Sequence, residues 1–355
     1  MRAANLLLLA LLIATNLQAT APGATPNTTT DATPNTAEPP LRGMTISCPW
    51  YGAIWDSSAM SESLADLRRL GVAQVAIHPY AGVRRDGSMR IHPAAETGYL
   101  DGAARRVREA GLELFWKPHL AYWGSFAWRG DITFPDDATW RRFFANYREW
   151  ILDQARFAER HKIPRFAVGV ELERTLGEEA PWHEAEWRDI LAAVRKVYSG
   201  RLVYAANWDR LDAVTFWDAV DEIGVQAYFP LSYEDDPDEA TLRHGWQKHF
   251  DALRRLSERY DKPVLFAEIG YDLAHGAARE PWQRVRPAEE DARELRSRLM
   301  RVALEEVERQ PFIRGMFWWK WMPGDGHDDR DFPMSHPDAR ETLRQAWADE
   351  ASAKR

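Results

Sequence analysis

The sequence contains a single cysteine, no excess of basic charge and no long apolar run. Cys48 has no second cysteine with which to form a disulfide inside the 355-residue chain, and a cysteine-based metal cluster is excluded. The formal net charge is -8, so the chain lacks the broad basic field typical of nucleic acid binding. A membrane-spanning helix needs about 20 consecutive apolar residues. The apolar run from Leu6 to Ala14 is too short to form one.

Three catalytic signatures are also missing. No glycine-rich G-x-G-x-x-G loop follows the first predicted strand, which argues against a dinucleotide-binding fold. No G-x-S-x-G elbow is present, which argues against a serine hydrolase of that type. No H-x-H or H-E-x-x-H pair is present, so the candidate metal ligands of a metal-dependent hydrolase would be residues scattered along the chain: His78, His92, His119, Asp56 and Asp209. We therefore interpret His78 and His119 as neutral donors to substrate hydroxyls.

The first 40 residues have the composition of an export signal and a tether. Residues 1–21 combine Arg2, the apolar run and an Ala19-Thr20-Ala21 site, which predicts a cleaved signal peptide. An uncleaved N-terminal anchor is the alternative. Residues 22–40 are rich in proline, threonine, asparagine and alanine, which predicts a disordered linker. We therefore expect a secreted or periplasmic protein with no membrane span after signal cleavage.

From Leu41 onward, short apolar runs alternate with amphipathic segments. Apolar residues recur every three or four positions over 61–71, 98–111, 138–161 and 289–310, which predicts helices lying on a sheet. This alternation favours an α/β fold, a single-domain (β/α)8 TIM barrel over residues 41–350. The eight predicted strands are Met44–Cys48, Gln74–His78, Glu113–Lys117, Phe166–Val170, Leu202–Ala206, Ile223–Tyr228, Val264–Ala267 and Gly315–Trp319.

Aromatic and hydrogen-bonding side chains stand at the C-terminal ends of these strands, where barrel enzymes carry their active sites. A sugar ring has flat C–H faces edged with hydroxyls, so a site for it combines aromatic platforms with hydrogen-bonding groups. The strand ends therefore predict a polysaccharide or oligosaccharide substrate. The candidate site residues are Trp50, His78, Lys117, His119, Glu171, Asn207, Trp208, Tyr228, Glu268 and Trp318.

Two of these candidates are carboxylates that follow apolar strands. Glu171 directly follows "RFAVGV" on strand four, and Glu268 directly follows "VLFA" on strand seven. Both side chains can therefore project into one central cleft. Glycoside hydrolysis needs such a pair: one carboxyl group protonates the leaving oxygen, and the other attacks or activates water. Glu173 is a rival for the acid, although its place in the following loop favours substrate binding or pairing with Arg174. The alternative is that both glutamates only form ion pairs at the barrel mouth.

Five stretches at or near the predicted strands carry a family resemblance: "GMTISCPWYG", "VGVELERT", "IGVQAYFPL", "LFAEIGY" and "GMFWWKW". With these motifs, the chain resembles glycoside hydrolase family 113, the β-mannanase-type enzymes of the (β/α)8 clan with catalytic glutamates on strands four and seven. The resemblance covers roughly residues 41–347. It implies that Glu171 is the general acid/base and Glu268 the nucleophile of a retaining double displacement, and that Tyr228 hydrogen-bonds the nucleophile. It also implies sugar subsites lined by Trp50, Lys117, His119, Asn207, Trp208 and Trp318.

One position departs from the wider clan. Most clan families have Asn directly before the acid/base, where it binds the sugar 2-hydroxyl, and here that residue is Val170. Family 113 is similar in lacking this Asn. The stereochemistry at the 2-hydroxyl separates mannose from glucose, so the sequence leaves open how that hydroxyl is bound.

We therefore expect a retaining β-glycoside hydrolase, an endo-β-1,4-mannanase that cleaves mannan or manno-oligosaccharides. We expect it to act as a monomer, without a metal, an organic cofactor or a nucleic acid partner. The alternatives are the same machinery acting on another β-linked glycan or in exo mode, and a non-catalytic carbohydrate-binding barrel.

Overall fold

The structure is a computed structural model that describes residues 39–49, 52–324 and 331–348. The predicted signal peptide, the predicted linker up to residue 38 and the candidate site residue Trp50 lie outside the described residues. Among the helices in the described ranges, none is both long and apolar enough to cross a membrane.

Eight parallel strands close into one barrel, which confirms the predicted fold class. Each strand pairs with its neighbours in sequence, and β1 pairs with β8 to close the ring. All eight predicted strands are present, with ends that differ by a few residues. The strands are β1 Leu41–Ile46, β2 Gln74–Ile77, β3 Glu113–Trp116, β4 Arg165–Val170, β5 Arg201–Asn207, β6 Glu222–Gln226, β7 Val264–Ile269 and β8 Ile313–Trp321.

Helices pack around the barrel, and several begin at a side-chain cap. Asp136 and Asp238 accept hydrogen bonds from the backbone N–H of Thr139 and Thr241, which stabilises the first turns of two long helices. The α-helices are α1 Ser58–Arg69, α2 Gly98–Glu109, α3 Asp137–Arg160, α4 Trp182–Arg195, α5 Glu239–Tyr260, α6 Arg293–Glu308 and α7 Pro337–Leu343, followed by a π-helix over Arg344–Ala348. Short 3₁₀ helices span Ala53–Asp56, Ala94–Glu96, Arg129–Asp131, Glu173–Thr175, Leu211–Ala213, Trp217–Ala219, His275–Ala278 and Glu290–Ala292.

The connection between β5 and β6 departs from the predicted strand-helix alternation. Residues 208–221 are all described, and they form two short 3₁₀ turns in place of an α-helix. Phe216 and Trp217 are buried there, and the Phe216 ring stacks on Trp187 of α4 at 5.6 Å between centroids. Large aromatic side chains therefore cover this part of the barrel where a helix would otherwise pack.

The barrel interior has an apolar middle between two polar ends. At the N-terminal end, the buried guanidinium of Arg165 donates to both oxygens of the buried Glu222 carboxylate, at 2.6 and 2.9 Å. Arg165 also donates to Gln74, which donates in turn to Glu113. The middle is filled by a cluster separate from the core under the helices: Leu41, Ala76, Phe115, Ala167, Val170, Val203, Ala205, Leu265, Ala267 and Phe317.

A small accessory sheet, which the sequence did not predict, extends the barrel mouth beyond β2 and β3. It has three strands, Tyr80–Val83, Met89–Arg90 and His119–Ala121. The first and third run parallel and start from a backbone hydrogen bond of 2.9 Å between His119 N–H and the Pro79 carbonyl. The sheet therefore fixes the backbone of His119 as firmly as a barrel strand would.

We expect Arg165→Met to destabilise the fold by about 3–5 kcal/mol, because it leaves the Glu222 carboxylate buried without its bidentate partner. Arg201 lies 3.8 Å from that carboxylate but is itself partly exposed. Urea denaturation at neutral pH measures the change. Arg254→Met is the matched control, since it removes an exposed pair with Asp251 and should cost under about 1 kcal/mol. Equal losses in the two variants would contradict a structural role for the buried pair.

Candidate active site

A cavity of about 450 Å³ opens at the C-terminal ends of the barrel strands. This is the end where barrel enzymes place their chemistry, and the volume lies in the usual range for small-molecule sites. Both candidate glutamates line it. The other lining residues are His119, Tyr122, Trp128, Arg129, Glu173, Asn207, Trp208, Asp209, Tyr228, Trp282, Arg284, Trp319 and Phe332.

Glu268 reaches the cavity because β7 carries a bulge. Phe266 pairs with Val225 and Glu268 with Gln226, so Ala267 has no partner on β6. Ala267 belongs to the barrel interior, and strict alternation would turn the next residue outward. The extra residue in the bulge reverses that alternation, so the Glu268 carboxylate turns inward.

Two buried groups donate hydrogen bonds to the Glu268 carboxylate. Lys117 Nζ donates to Oε1 at 2.8 Å and also to the Ala267 carbonyl at 2.9 Å. The Tyr228 hydroxyl donates to Oε2 at 3.0 Å. Burial lowers the pKa of Lys117, and the neighbouring Glu268 charge opposes that shift. One charged and one neutral hydrogen bond therefore hold the two carboxylate oxygens in a fixed orientation.

Glu171 follows a second bulge. The register of β4 against β5 shifts between Ala167 and Gly169, after which Val170 faces the interior. Glu171 then adopts a left-handed backbone conformation with φ of 52°, which is uncommon for a residue with a side chain. Its N–H still donates to the Ala205 carbonyl at 2.9 Å, so the residue stays attached to the barrel while the chain turns.

The Glu171 carboxyl group has a different environment from that of Glu268. Among the described residues, its charged partner is Arg129, whose Nη1 donates to Oε2 at 2.6 Å. Burial raises the pKa of Glu171 from its ordinary value of 4.5 to about 7; Arg129 opposes this shift, and the negative charge of Glu268 adds to it. At neutral pH a large fraction of Glu171 therefore carries a proton. The cavity thus holds one carboxylate bound by two donors and one carboxyl group that can donate a proton.

Arg129 also contacts His119 and helps to keep its imidazole neutral. Its Nη2 donates to His119 Nδ1 at 3.2 Å, and its Nε donates to the Leu120 carbonyl at 3.0 Å. Burial lowers the pKa of His119 well below its ordinary value of 6.5, and the charges of Arg129 and Lys117 lower it further. His119 is therefore neutral. Its Nε2 lies 3.7 Å from Glu268 Oε1.

The structure brings most of the predicted site residues together. His119, Asn207, Trp208 and Tyr228 line the cavity with the two glutamates. Asn207 donates to the Glu173 carboxylate at 2.6 Å, which holds Glu173 at the loop edge of the cavity. Lys117 and His78 are fully buried beneath the lining, and His78 stacks against His119 at 4.9 Å between ring centroids.

Trp318, a predicted site residue, does not line the cavity. It is fully buried in the core between the strands and the helices, and its neighbour Trp319 lines the cavity instead. Strand alternation gives the physical reason, because Phe317 faces the barrel interior and Trp319 lies two residues further along. The sequence does not show which residues of β8 face the barrel interior. That choice would have followed only from knowing that Phe317 points inward.

Sequence reasoning missed Arg129, which contacts Glu171 and His119 directly. It lies in a 3₁₀ helix within the loop after the accessory sheet, where no apolar run or strand end marks it. Its one sequence signal is its place in the aromatic stretch "YWGSFAWRGD" that follows His119. Trp282 and Arg284 were missed for the same reason, since both lie in the long loop between β7 and α6.

An aromatic wall extends from the two glutamates toward solvent. Trp208 and Trp282 lie nearly parallel, with ring centroids 6.2 Å apart and an interplanar angle of 24°. Trp282 is 42% exposed although it is a large apolar side chain. Within the described ranges, no group of three or more histidine, cysteine, aspartate or glutamate side chains is arranged to hold a metal ion.

A comparison with known protein families finds a match that covers most of the chain. The family model for Glycoside Hydrolase Family 113 matches residues 46–331. This range contains every residue of the cavity described above except Phe332. A search of curated protein sequences finds no match.

Several solved structures share the fold. A family 113 β-mannanase from Alicyclobacillus acidocaldarius, in complex with ManMIm, is 23% identical with a TM-score of 0.74, over 88% of this chain and 98% of that chain. A family 113 β-1,4-mannanase complex is 21% identical with a TM-score of 0.73, over 87% and 99%. A Faecalibacterium prausnitzii β-glucuronidase is 14% identical with a TM-score of 0.59, over 87% and 49%. The same barrel therefore serves different sugars, and its shape alone does not identify the substrate.

We expect the stability of Glu171→Gln relative to the wild type to rise with pH. A carboxyl group whose pKa is raised on folding contributes stability that is present below pH 4.5 and is lost as the pH rises to about 7. Glutamine cannot ionise, so the variant does not lose this contribution. Melting temperatures of both proteins between pH 4 and 8 measure the effect. A difference in melting temperature that stays constant over this range would contradict the raised pKa.

Proposed function

Because the chain belongs to glycoside hydrolase family 113, we propose that it is a retaining β-mannanase that cleaves β-1,4-linked mannan or manno-oligosaccharides in endo mode. The observation that carries the mechanism is the contrast between the two glutamates in the cavity. Glu268 accepts hydrogen bonds from Lys117 and Tyr228, whereas Glu171 has a pKa of about 7. Two carboxyl groups in different protonation states are what double displacement at a sugar requires.

In the first step, the Glu268 carboxylate attacks the anomeric carbon while Glu171 donates its proton to the departing glycosidic oxygen. The bond between carbon and the leaving oxygen breaks as the bond to Glu268 forms. In the second step, Glu171, now ionised, takes a proton from a water molecule, and that water displaces Glu268 with overall retention. Glu268 loses its negative charge in the covalent intermediate, which removes one contribution that raises the pKa of Glu171.

Lys117 and Tyr228 prepare the nucleophile for this attack. Both are buried and both donate to Glu268, so the carboxylate is held in one orientation before the substrate binds. Lys117 also donates to the Ala267 carbonyl, so its ammonium group is anchored to the backbone beside the carboxylate.

The choice of mannan rests on two observations. The two family 113 structures above are described as a β-mannanase and a β-1,4-mannanase. The Trp208–Trp282 wall gives sugar rings a platform beyond the glutamates, which suits a substrate of several units. We also propose export to the periplasm or the cell exterior, which rests on the signal sequence over residues 1–21.

We expect Glu268→Ala to abolish hydrolysis while the fold persists, because the carboxylate that attacks the sugar is gone. Glu171→Ala should lower kcat by roughly 10²–10⁴-fold on mannan. The same variant should lose much less on an aryl mannoside whose leaving group needs no proton. Azide should restore its turnover and yield a β-configured glycosyl azide, which NMR detects.

Glu173→Gln is the matched control, since Glu173 lines the same cavity two residues from Glu171. It should keep the wild-type sensitivity to the leaving group. If Glu173→Gln, and not Glu171→Ala, responded to azide, the acid/base assignment would move to Glu173. Full activity in Glu268→Ala would contradict the whole mechanism.

We expect β-mannan to be the preferred polymer in a reducing-sugar assay beside cellulose and xylan. Endo cleavage should produce a ladder of oligosaccharides from the earliest time points, whereas exo cleavage would release one small product. Chromatographic sizing of the products separates the two modes. Greater activity on cellulose or xylan would replace the mannanase assignment with another β-glycanase, and binding without turnover on any polymer would indicate a carbohydrate-binding barrel.

A further inference from the structure

A buried carboxylate lies behind the loop that carries Trp282. Asp272 follows the end of β7 by three residues and is 1% exposed. It is not among the residues that line the cavity, and the proposed mechanism makes no use of it. A carboxylate is costly to bury unless donors satisfy its oxygens, so the groups that donate to Asp272 indicate what it does in the fold.

Four donors from three chain segments bind the Asp272 carboxylate. Oδ1 accepts from the backbone N–H groups of Leu273 and Phe332, each at 3.0 Å. Oδ2 accepts from the backbone N–H of Val285 and from Arg286 Nη1, each at 3.1 Å. We call these four hydrogen bonds the Asp272 anchor. The anchor ties the start of the β7–α6 loop to the returning part of the same loop and to the loop after β8.

The returning part of the β7–α6 loop has little other support. Residues 279–289, all of which are described, form neither helix nor strand, so no regular backbone pairing holds them. Arg284 pairs with Asp331 at 3.3 Å, but its side chain is 64% exposed, and an exposed ion pair adds little stability. The hydrogen bonds of Val285 and Arg286 to a buried carboxylate are therefore strong determinants of the path of this segment.

The anchor restricts the position of Trp282, which lies three residues before Val285. Three residues span at most about 10 Å, so a fixed Val285 leaves the Trp282 ring a small range of positions. One of these places the ring nearly parallel to Trp208 at 6.2 Å between centroids. A ring that is already in place binds a ligand more tightly than a mobile one, because less conformational entropy is lost on binding.

We propose that Asp272 is a positioning residue for substrate binding: it holds the Trp282 loop against β7 and so keeps the Trp208–Trp282 wall in place for a sugar unit beyond the two glutamates. This inference rests on the proposed function. Asp272 acts through Trp282 and touches no substrate itself. Its donors do not include Lys117, Tyr228 or Arg129, the partners of the glutamates, so the chemical step should not depend on it.

The test compares a long substrate with a short one. For each protein, kcat/KM is measured on mannohexaose and on mannotriose and expressed as a ratio, in which the fraction of folded enzyme cancels. The proteins are the wild type, Asp272→Asn, Trp282→Ala, the double variant and the control Arg165→Met. Asparagine keeps the shape of aspartate but replaces one acceptor oxygen by an amino group that faces other donors. Arg165→Met weakens the fold at the opposite end of the barrel.

We expect the ratio in favour of mannohexaose to fall roughly threefold to tenfold in Trp282→Ala, as for the loss of one aromatic contact. Asp272→Asn should lower it by a similar or smaller factor, through a higher KM for mannohexaose at an unchanged kcat. The double variant should match Trp282→Ala, because the anchor has nothing to position once the ring is gone. Arg165→Met should keep the wild-type ratio.

Hydrogen exchange measures the anchor directly and needs no substrate. The peptide that contains Val285 should exchange faster in Asp272→Asn than in the wild type, whereas peptides from β4 and β5 should exchange as in the wild type. Arg286→Met removes one donor from an exposed side chain and should give a smaller increase at the same peptide. It provides the same measurements if Asp272→Asn does not fold.

An unchanged ratio in Asp272→Asn would overturn the proposal, and so would unchanged exchange at the Val285 peptide. A double variant that loses the product of the two single losses would show that Asp272 acts independently of Trp282. An equal fall in Arg165→Met would assign the effect to general stability and would overturn the proposal as well. The failure of the proposed function gives a different result: the wild type would hydrolyse neither manno-oligosaccharide, while hydrogen exchange would still report the anchor.

Discussion

The site depends on the burial of two carboxyl groups in one cavity. Two carboxylates so placed cannot both ionise freely, because each raises the cost of the negative charge on the other. Two buried cations stabilise the negative charges, and each is paired with a different glutamate. Lys117 donates directly to Glu268, together with the Tyr228 hydroxyl, whereas Glu171 is paired with Arg129 and burial raises its pKa to about 7. The difference between the proposed nucleophile and the proposed acid therefore comes from their partners, since the two side chains are chemically identical.

The same cations join the two glutamates into one network. Arg129 contacts Glu171 on one side and His119 on the other, and His119 faces Glu268. The network spans three loops or strand ends that are distant in sequence, so none of its parts can be positioned without the closed barrel. The charge cluster at the opposite end, Arg165 with Glu222, is bidentate and closed to solvent. One end of the barrel uses buried charge for stability, and the other uses it for chemistry.

The backbone contributes to the site through its irregularities. β4 and β7 each carry a bulge just before their glutamate, and Glu171 adds a left-handed residue. Regular strands would place Ala267 and Glu268 on opposite faces, with the carboxylate against the helices. A bulge costs one backbone pairing but turns the functional side chain inward while the rest of the strand stays paired. Bulges on rigid strands thus combine precise placement with a change of direction.

Apolar periodicity was sufficient to predict the eight strands, the barrel and the strand-end location of Glu171, Glu268, Lys117 and Tyr228, because these follow from local patterns along one chain. The 3₁₀ turns between β5 and β6 were not predictable in this way, since aromatic packing replaces a helix there. The sequence could not place Arg129 in the site or choose Trp319 over Trp318, because loop paths and strand phase depend on contacts between distant segments. The sequence alone determined which chemical groups are available to the site. Only the tertiary structure decided which glutamate is paired with Lys117 and which with Arg129, and hence the raised pKa of Glu171, because that pKa depends on burial and on charges that folding brings together.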